Sequence, residues 1–472
     1  MAVVPGGLKG VTTHKAKGAK FETLRTVANM GAFDIAHDIG FATASGAGTS
    51  TAEFFEREEI FLPITPNERE FMADDLGAER VRSHILHEEK VSDGHRPPLH
   101  YKLMIRHLYV HVPFCAKVCP YCAFHVHLGG TTAQRGFVKA LRTEWQRARE
   151  EFSLALETIY FGGGTPSILS AELFAELAEE LPSKKNGSPS NGPPQEFTLE
   201  VNPATVTPEK AAVWRAAGVN RISLGAQSFD VEMLRLLGRQ HAPEDISQTC
   251  ALLREYGFEN INIDLMFALP GQSESKWKAT LTAALACKPN HVSAYALTYE
   301  EDTPFFEKLQ RGEWRQDEER EIAMFTQTRE VLGAAGLVDY EISNFARAGF
   351  ESRHNLAYWR GADYLGLGPS ACSTIGAMRW RNVPNTKAYV ERIAHGESMR
   401  EEKETLDAAT RSKERIMFGL RMREGVALEE FGADASHLKE LEMNGLAFEE
   451  AGRVRLTSRG QLVADSVAGM FV

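Results

Sequence analysis

Three cysteines, Cys115, Cys119 and Cys122, fall within eight positions of one another in the segment FCAKVCPYC. The spacing C-x3-C-x2-C brings three thiolates to one point without help from distant chain. Three thiolates can ligate three irons of a [4Fe–4S] cluster, and the usual fourth cysteine is absent, so the fourth iron would be open to a small ligand. A Cys3His zinc site is the chemical rival, because His111, His125 and His127 are close in sequence. The bland reading is three ordinary loop cysteines.

Further polar residues recur downstream at regular intervals. Gly162-Gly163-Gly164-Thr165-Pro166 is a glycine-rich turn, followed by Glu200-Val-Asn-Pro, Leu224-Gly-Ala-Gln227, Leu237-Gly-Arg239-Gln-His241 and Asn262-Ile-Asp264-Leu-Met. A single such residue is as readily a helix cap or a surface charge. Five in series at the same end of successive strands are better explained by a shared ligand. Side-chain-free backbone at the glycines would let an amino group approach carbonyls closely, although a Gly-rich turn is more often plain loop geometry. His354-Asn355-x-x-Tyr358-Trp359 sets an imidazole near two aromatics. Taken alone it reads as a histidine hydrogen-bonded in a loop beside core aromatics.

The elements that must position these residues are legible from periodicity. Short β-branched runs predict strands at His107–Phe114, Thr158–Phe161, Phe197–Val201, Arg221–Gln227, Asn260–Ala268 and His291–Leu297. Amphipathic stretches between them predict helices, among them Thr132–Phe152, Ala171–Leu181, Glu209–Ala217 and Ala242–Tyr256. Ser183–Gln195 is too polar and too rich in Pro and Gly to be an element. Six strand–helix alternations imply an α/β fold with parallel strands and right-handed crossovers, hence an open or partial barrel. In such folds chemistry sits at the carboxyl ends of the strands.

Either side of this core the pattern changes. Residues 1–103 read as a poorly ordered extension, with low-complexity stretches at Met1–Lys20 and Ala42–Thr51. Residues 104–330 are expected to form the barrel and 331–404 its extension. From residue 405 to 472 a helix, short helical pieces, two strands about a turn and a closing helix at Ser458–Met470 suggest a small winged-helix-like module. It carries nine Lys+Arg against eleven Asp+Glu, which favours docking or lid duty over DNA binding.

Composition narrows the class. The 472 residues carry a net charge of −11 with 43% apolar and 25% charged residues, enough for two or three soluble domains. No run of about 18 uncharged apolar residues occurs, so no membrane-spanning helix is expected. The acidic balance argues against a nucleic-acid binder. Six cysteines are too few for a disulfide scaffold. With no secretory signal a reducing, cytoplasmic setting is expected. A transit peptide is a weak alternative, since no arginine precedes Arg25.

The cysteine triplet, with Tyr121 before its last member, resembles the signature of the radical S-adenosylmethionine (SAM) superfamily. Gly163, Gly164 and Thr165 resemble that family's SAM-binding glycine motif. Tyr109, Glu200, Gln227, Arg239 and Asp264 match SAM-contacting positions of oxygen-independent coproporphyrinogen III oxidase-like proteins. The resemblance implies a partial (β/α)6, TIM-like barrel, a [4Fe–4S] cluster on Cys115, Cys119 and Cys122, and SAM on Tyr109, Tyr121, Gly163, Gly164, Thr165, Glu200, Gln227, Arg239 and Asp264. The oxidase branch carries a fourth cysteine two positions after the triplet, where this chain has Phe124. The Cys-Ala-Phe ending, Tyr340–Ala346 and HNxxYW instead resemble the haem chaperone branch. That branch implies haem as cargo, held by His354, delivered to haem-requiring apoproteins, with an electron donor for the cluster. The alternative it leaves is an oxidase acting on porphyrinogen propionates. One departure is Gly366-Leu-Gly368-Pro-Ser-Ala371-Cys372, where the branch usually has a histidine; Cys372 would replace it as a haem ligand or simply pack. The same stretch fits G-x-G-x-x-A, a dinucleotide motif, but with no clear strand before it and no helix after it that reading is discarded.

Overall fold

A computed structural model describes residues 102–180 and 194–471 of the chain. All but the last two residues of the expected N-terminal extension and most of the Pro/Gly-rich loop at Ser183–Gln195 lie outside the described residues.

Six strands run parallel as consecutive neighbours: β1 (Met104–Val112), β2 (Ser153–Gly163), β3 (Glu196–Val201), β4 (Arg221–Gln227), β5 (Asn260–Phe267) and β6 (His291–Ala296). Helices cross between them: α1 (Thr131–Glu151), α2 (Ala171–Ala178), α3 (Pro208–Ala217), α4 (Val231–Leu236), α5 (Pro243–Glu255) and α6 (Glu274–Ala286). Their ends follow local chemistry. Ser170, Thr207 and Ser273 accept the third-residue amides of α2, α3 and α6, and Gly218 closes α3 in the left-handed region at φ 101°.

Alternation along each strand sorts the side chains into two environments. Leu108, Val110, Ile159, Phe161, Ile222 and Ile263 face outward, into a core shared with Phe137, Phe174, Trp214 and Trp277. Tyr160, Ser223, Asn262 and Asp264 take the alternate positions and face inward. The barrel interior is therefore polar rather than filled by apolar layers.

After β6 come α7 (Pro304–Gln310), α8 (Glu318–Ala334), β7 (Val338–Asp339), β8 (Asn344–Ala346) and α9 (Arg353–Trp359). Then β9 (Tyr364–Leu367) pairs parallel with β1 on its far side. Beyond it lie β10 (Cys372–Ile375), β11 (Met378–Asn382), α10 (Thr386–His395) and β12 (Arg400–Thr405). The strand order is β12-β11-β10-β9-β1-β2-β3-β4-β5-β6-β8-β7, an open twelve-stranded sheet. The expected partial barrel is present, and both its edges are extended.

Two expectations are corrected by the fold. A strand does precede the Gly-x-Gly turn, because β9 contains Gly366; a Cβ there would stand 2.0 Å from the Cys372 carbonyl. A four-residue strand holding a glycine carries too little pattern to be read. The next element is β10 rather than a helix, so the glycines serve sheet packing and the dinucleotide reading stays discarded. The predicted closing helix is also divided, into Ser458–Gln461 and Ala464–Ala468.

The tail otherwise runs in the anticipated order: α11 (Ala408–Arg421), β13 (Val426–Ala427), a 3-10 stretch, α12 (Ala435–Met443), β14 (Ala447–Glu450), β15 (Arg453–Leu456), α13 (Ser458–Gln461) and α14 (Ala464–Ala468). Its three strands form a separate sheet, β13-β15-β14. Ile416, Leu420, Phe431, Leu441, Val454 and Phe471 build a second core within it. No helix of the described residues is long and apolar enough to cross a membrane.

Candidate functional site

The chain leaves β1 into the cysteine loop, which is closed at its base by two backbone bonds. The amide of Cys115 donates to the His127 carbonyl (3.2 Å) and that of His127 to the Pro113 carbonyl (2.6 Å). Within the loop the Cys122 amide donates to the Cys119 carbonyl (3.1 Å). All three cysteines are half-buried and line one cavity of about 300 Å³ at the carboxyl ends of the strands. Among the described residues no three His, Cys, Asp or Glu side chains are placed to hold a single metal ion between them.

The glycine run at the end of β2 is fitted to this loop. The Gly164 amide donates to the Val112 carbonyl (2.9 Å) and that of Thr165 to the Phe114 carbonyl (2.8 Å). A Cβ on Gly164 would lie 2.7 Å from the Phe114 carbonyl oxygen. Gly163 sits at φ 107°, where a Cβ would also meet the His111 ring at 2.7 Å. The glycines are thus required first by close approach of β2 to the cysteine loop. Thr165 Oγ1 is 3.5 Å from Cys115 Sγ.

Deeper in the cavity two carboxyl groups face inward. The Tyr160 hydroxyl donates to Glu200 (2.8 Å). Ser223 (3.1 Å) and Asn262 (2.6 Å) donate to Asp264. Burial, then the neighbouring Asp264, pushes Glu200 up to about 8; burial likewise raises Asp264. In the same cavity Arg239 donates to the Gly225 carbonyl (2.6 Å) and to Asn202, while its buried Nε has no hydrogen-bond partner. Gln227, at the end of β4, is held in the left-handed region at φ 65°. Tyr121 packs on Phe305 (ring centroids 6.0 Å), and the Phe305 amide donates to Pro120 (3.1 Å), tying the cysteine loop to α7.

Most of the residues singled out in the sequence therefore converge. Cys115, Cys119, Cys122, Tyr121, Gly163, Gly164, Thr165, Glu200, Gln227, Arg239 and Asp264 all line the cavity, as does Phe124. Tyr109 and His354 do not. Tyr109 is buried beneath, its hydroxyl 3.0 Å from His111 Nδ1. His354 is wholly buried, with Thr158 Oγ1 at 2.7 Å from Nδ1 and the Tyr358 hydroxyl at 3.0 Å from Nε2. Its ring lies 5.2 Å from that of Tyr160, and burial holds its pKa well below the usual histidine range. The open imidazole expected for a haem iron is not found in this conformation, because both ring nitrogens are engaged inside the fold. Cys372 is buried among Tyr358, Tyr364 and Met417.

Sequence reasoning quoted Asn202, Asn262 and Asn355 within its motifs without giving them a role of their own and passed over Tyr160, Arg221 and Ser223; all six line the cavity. The signal was present in the period-2 alternation. Arg221-x-Ser223-x-Gly225-x-Gln227 and Asn262-x-Asp264 set polar residues on one face of strands whose other face is apolar.

The fold and its cysteine-lined mouth define the class. Residues 109–284 match the Radical SAM superfamily and residues 406–463 the HemN C-terminal domain. The chain is 34% identical over 375 residues to heme chaperone HemW of Bacillus subtilis, across 77% of this chain and 98% of that one. Against heme chaperone HemW of Escherichia coli it is 32% identical, covering 77% and 97%. It belongs to the HemW family of radical SAM proteins. Among solved structures, coproporphyrinogen III oxidase (HemN) from Escherichia coli superposes with a TM-score of 0.67 at 23% identity, over 78% of this chain and 90% of that one, which speaks to the fold.

Proposed function

We infer that the chain binds haem and hands it to haem-requiring apoproteins, using a barrel that also holds a [4Fe–4S] cluster and SAM. Cys115, Cys119 and Cys122 would hold the cluster, which when bound supplies an open iron and one-electron reduction, drawn from an electron donor protein. Tyr121, Gly163, Gly164, Thr165, Glu200, Gln227, Arg239 and Asp264 line the space where SAM would lie. The donor set suits that ligand. Glu200 and Asp264 lack a bonded cation among the described residues, and SAM carries positive charge and ribose hydroxyls. The unpartnered Nε of Arg239 suits the methionine carboxylate.

The haem reading is carried by Phe124. It fills the position of the oxidase-branch cysteine, within a chain that spans nearly the whole length of relatives named heme chaperones. Protein reconstituted without oxygen should carry about four irons and a broad charge-transfer absorption that Cys119→Ala abolishes. Titrated with haem, it should develop a Soret band and pass the haem to an acceptor apoprotein. SAM-dependent decarboxylation of coproporphyrinogen III at catalytic turnover would overturn the reading in favour of an oxidase.

A further inference from the structure

The barrel holds a cation that the fold leaves without a counter-ion. Arg221 opens β4, is 1% exposed and lines the cavity. Its Nε has no hydrogen-bond partner, and no ion pair to its guanidinium forms among the described residues. The two acids in the same cavity are served by neutral donors, Asp264 by Ser223 and Asn262 and Glu200 by Tyr160. They reach Arg221 only through longer-range attraction. The nearby histidines, His291 and His354, are uncharged, because burial and Arg221 itself hold them well below their usual pKa. A buried charge in this position is strongly destabilising unless something pairs with it.

A second unpartnered group faces the same space. Asn355, in α9, is 7% exposed and lines the cavity, and its Oδ1 has no hydrogen-bond partner. It is the second residue of HNxxYW. The bonds of His354 to Thr158 and Tyr358, and of Glu196 to the His354 amide (3.0 Å), fix the helix that presents it. The guanidinium donates to a planar carboxylate and the Asn355 amide nitrogen can donate beside it, whereas the unpartnered Oδ1 accepts only, from a donor group of the ligand.

We propose that Arg221 and Asn355 form a carboxylate subsite at the base of the cavity, occupied by an acid group of the bound ligand. Two sources share that chemistry, a propionate of a tetrapyrrole and the methionyl carboxylate of SAM. The first is favoured because Arg239 already stands at the mouth for the second, and for that source the proposal rests on the haem reading.

The test compares ferric haem with its dimethyl ester, which lacks free carboxylates, and titrates SAM separately into the reconstituted full chain. Wild-type protein should bind the free acid roughly ten-fold or more tighter than the diester. Arg221→Gln should erase that difference. So should Asn355→Asp, which gives Arg221 an anion from within the fold at almost unchanged volume and carries the test if the arginine variant fails to fold. Loss of SAM affinity with haem binding unchanged assigns the subsite to the methionyl carboxylate. Folded variants that weaken acid and diester equally, or that alter neither haem nor SAM binding, overturn the subsite. If wild-type protein binds neither form of haem, the functional reading fails and the SAM titration alone decides the subsite.

Discussion

Asp264 receives hydrogen bonds from Ser223 and Asn262, and Glu200 one from Tyr160, so each carboxyl is held in place before any ligand arrives. Losing a buried polar contact of this kind costs about 1–3 kcal/mol. Asp264→Ala and Glu200→Ala should each weaken SAM binding by roughly ten-fold, measured by equilibrium dialysis on reconstituted protein. Unchanged affinity in both would mean the site is mapped wrongly. The cysteines, the glycine run and these acids were legible because they sit at strand exits, where this architecture puts chemistry. For His354 the motif did not show the two hydrogen bonds that engage both ring nitrogens. Tyr358 lies four residues on, which on a helix sets its hydroxyl beside the imidazole rather than offering a flat face to a porphyrin. His354→Ala should therefore lower the melting temperature and leave the Soret maximum of the haem complex where it was. A displaced Soret maximum at full haem loading would put this histidine on the iron after all.

Between elements, Glu144 is the pin that joins α1 to the sheet extension. Its carboxyl accepts from the Tyr389 hydroxyl of α10 (2.6 Å), from Asn382 of β11 (2.7 Å) and from the amide of Gly368 after β9 (2.8 Å). Burial pushes its pKa up to about 7 from an ordinary 4.5, and the three hydrogen bonds offset only part of that. Between those values the native carboxyl keeps a proton that the unfolded chain has released. The native state then binds more protons, and this group's contribution to stability falls as pH rises from about 4.5 to about 7. Glu144→Gln removes the titration but keeps an acceptor, so wild-type protein should lose stability relative to the variant across that window. Urea midpoints measured at several pH values provide the check, and parallel curves would refute the assignment. None of this was legible, because Glu144 sits on an amphipathic helix among many charged residues and its partners lie more than two hundred positions away. The six barrel strands, by contrast, were found within a few residues of their ends, since alternation is local; β9 was not, being four residues with a glycine among them.

At the scale of the whole molecule, HNxxYW serves three neighbours from one helix. His354 is bonded into the barrel, Asn355 lines the cavity, and Trp359 holds the C-terminal module. The Trp359 ring is fully buried, 6.2 Å from Phe418 on α11, with the Arg421 guanidinium 5.2 Å over its face. Arg421 in turn pairs with Asp465 of α14 (2.8 Å), so α11 is clamped between the barrel and the end of the chain. The other face of α11 supplies Ile416 and Leu420 to the module's own core. The sequence showed the module as an order of elements, but its attachment depends on one aromatic that the motif suggested for haem. Removing a buried tryptophan side chain typically costs about 3–5 kcal/mol. Trp359→Ala should accordingly lower stability by that order and open the tail to limited proteolysis near residues 406–463, the stretch matching the HemN C-terminal domain. Iron content should persist, because the cysteine loop lies at the carboxyl ends of the strands while His354 meets β2 at Thr158, well before its end. The indole N–H of Trp359 has no hydrogen-bond partner. Trp359→Phe, which keeps a ring against Phe418 and removes that unpaired donor, should therefore retain most of the docking and resist the protease. Equal loss of protection in the alanine and phenylalanine variants would show that the module is held by something other than this aromatic contact.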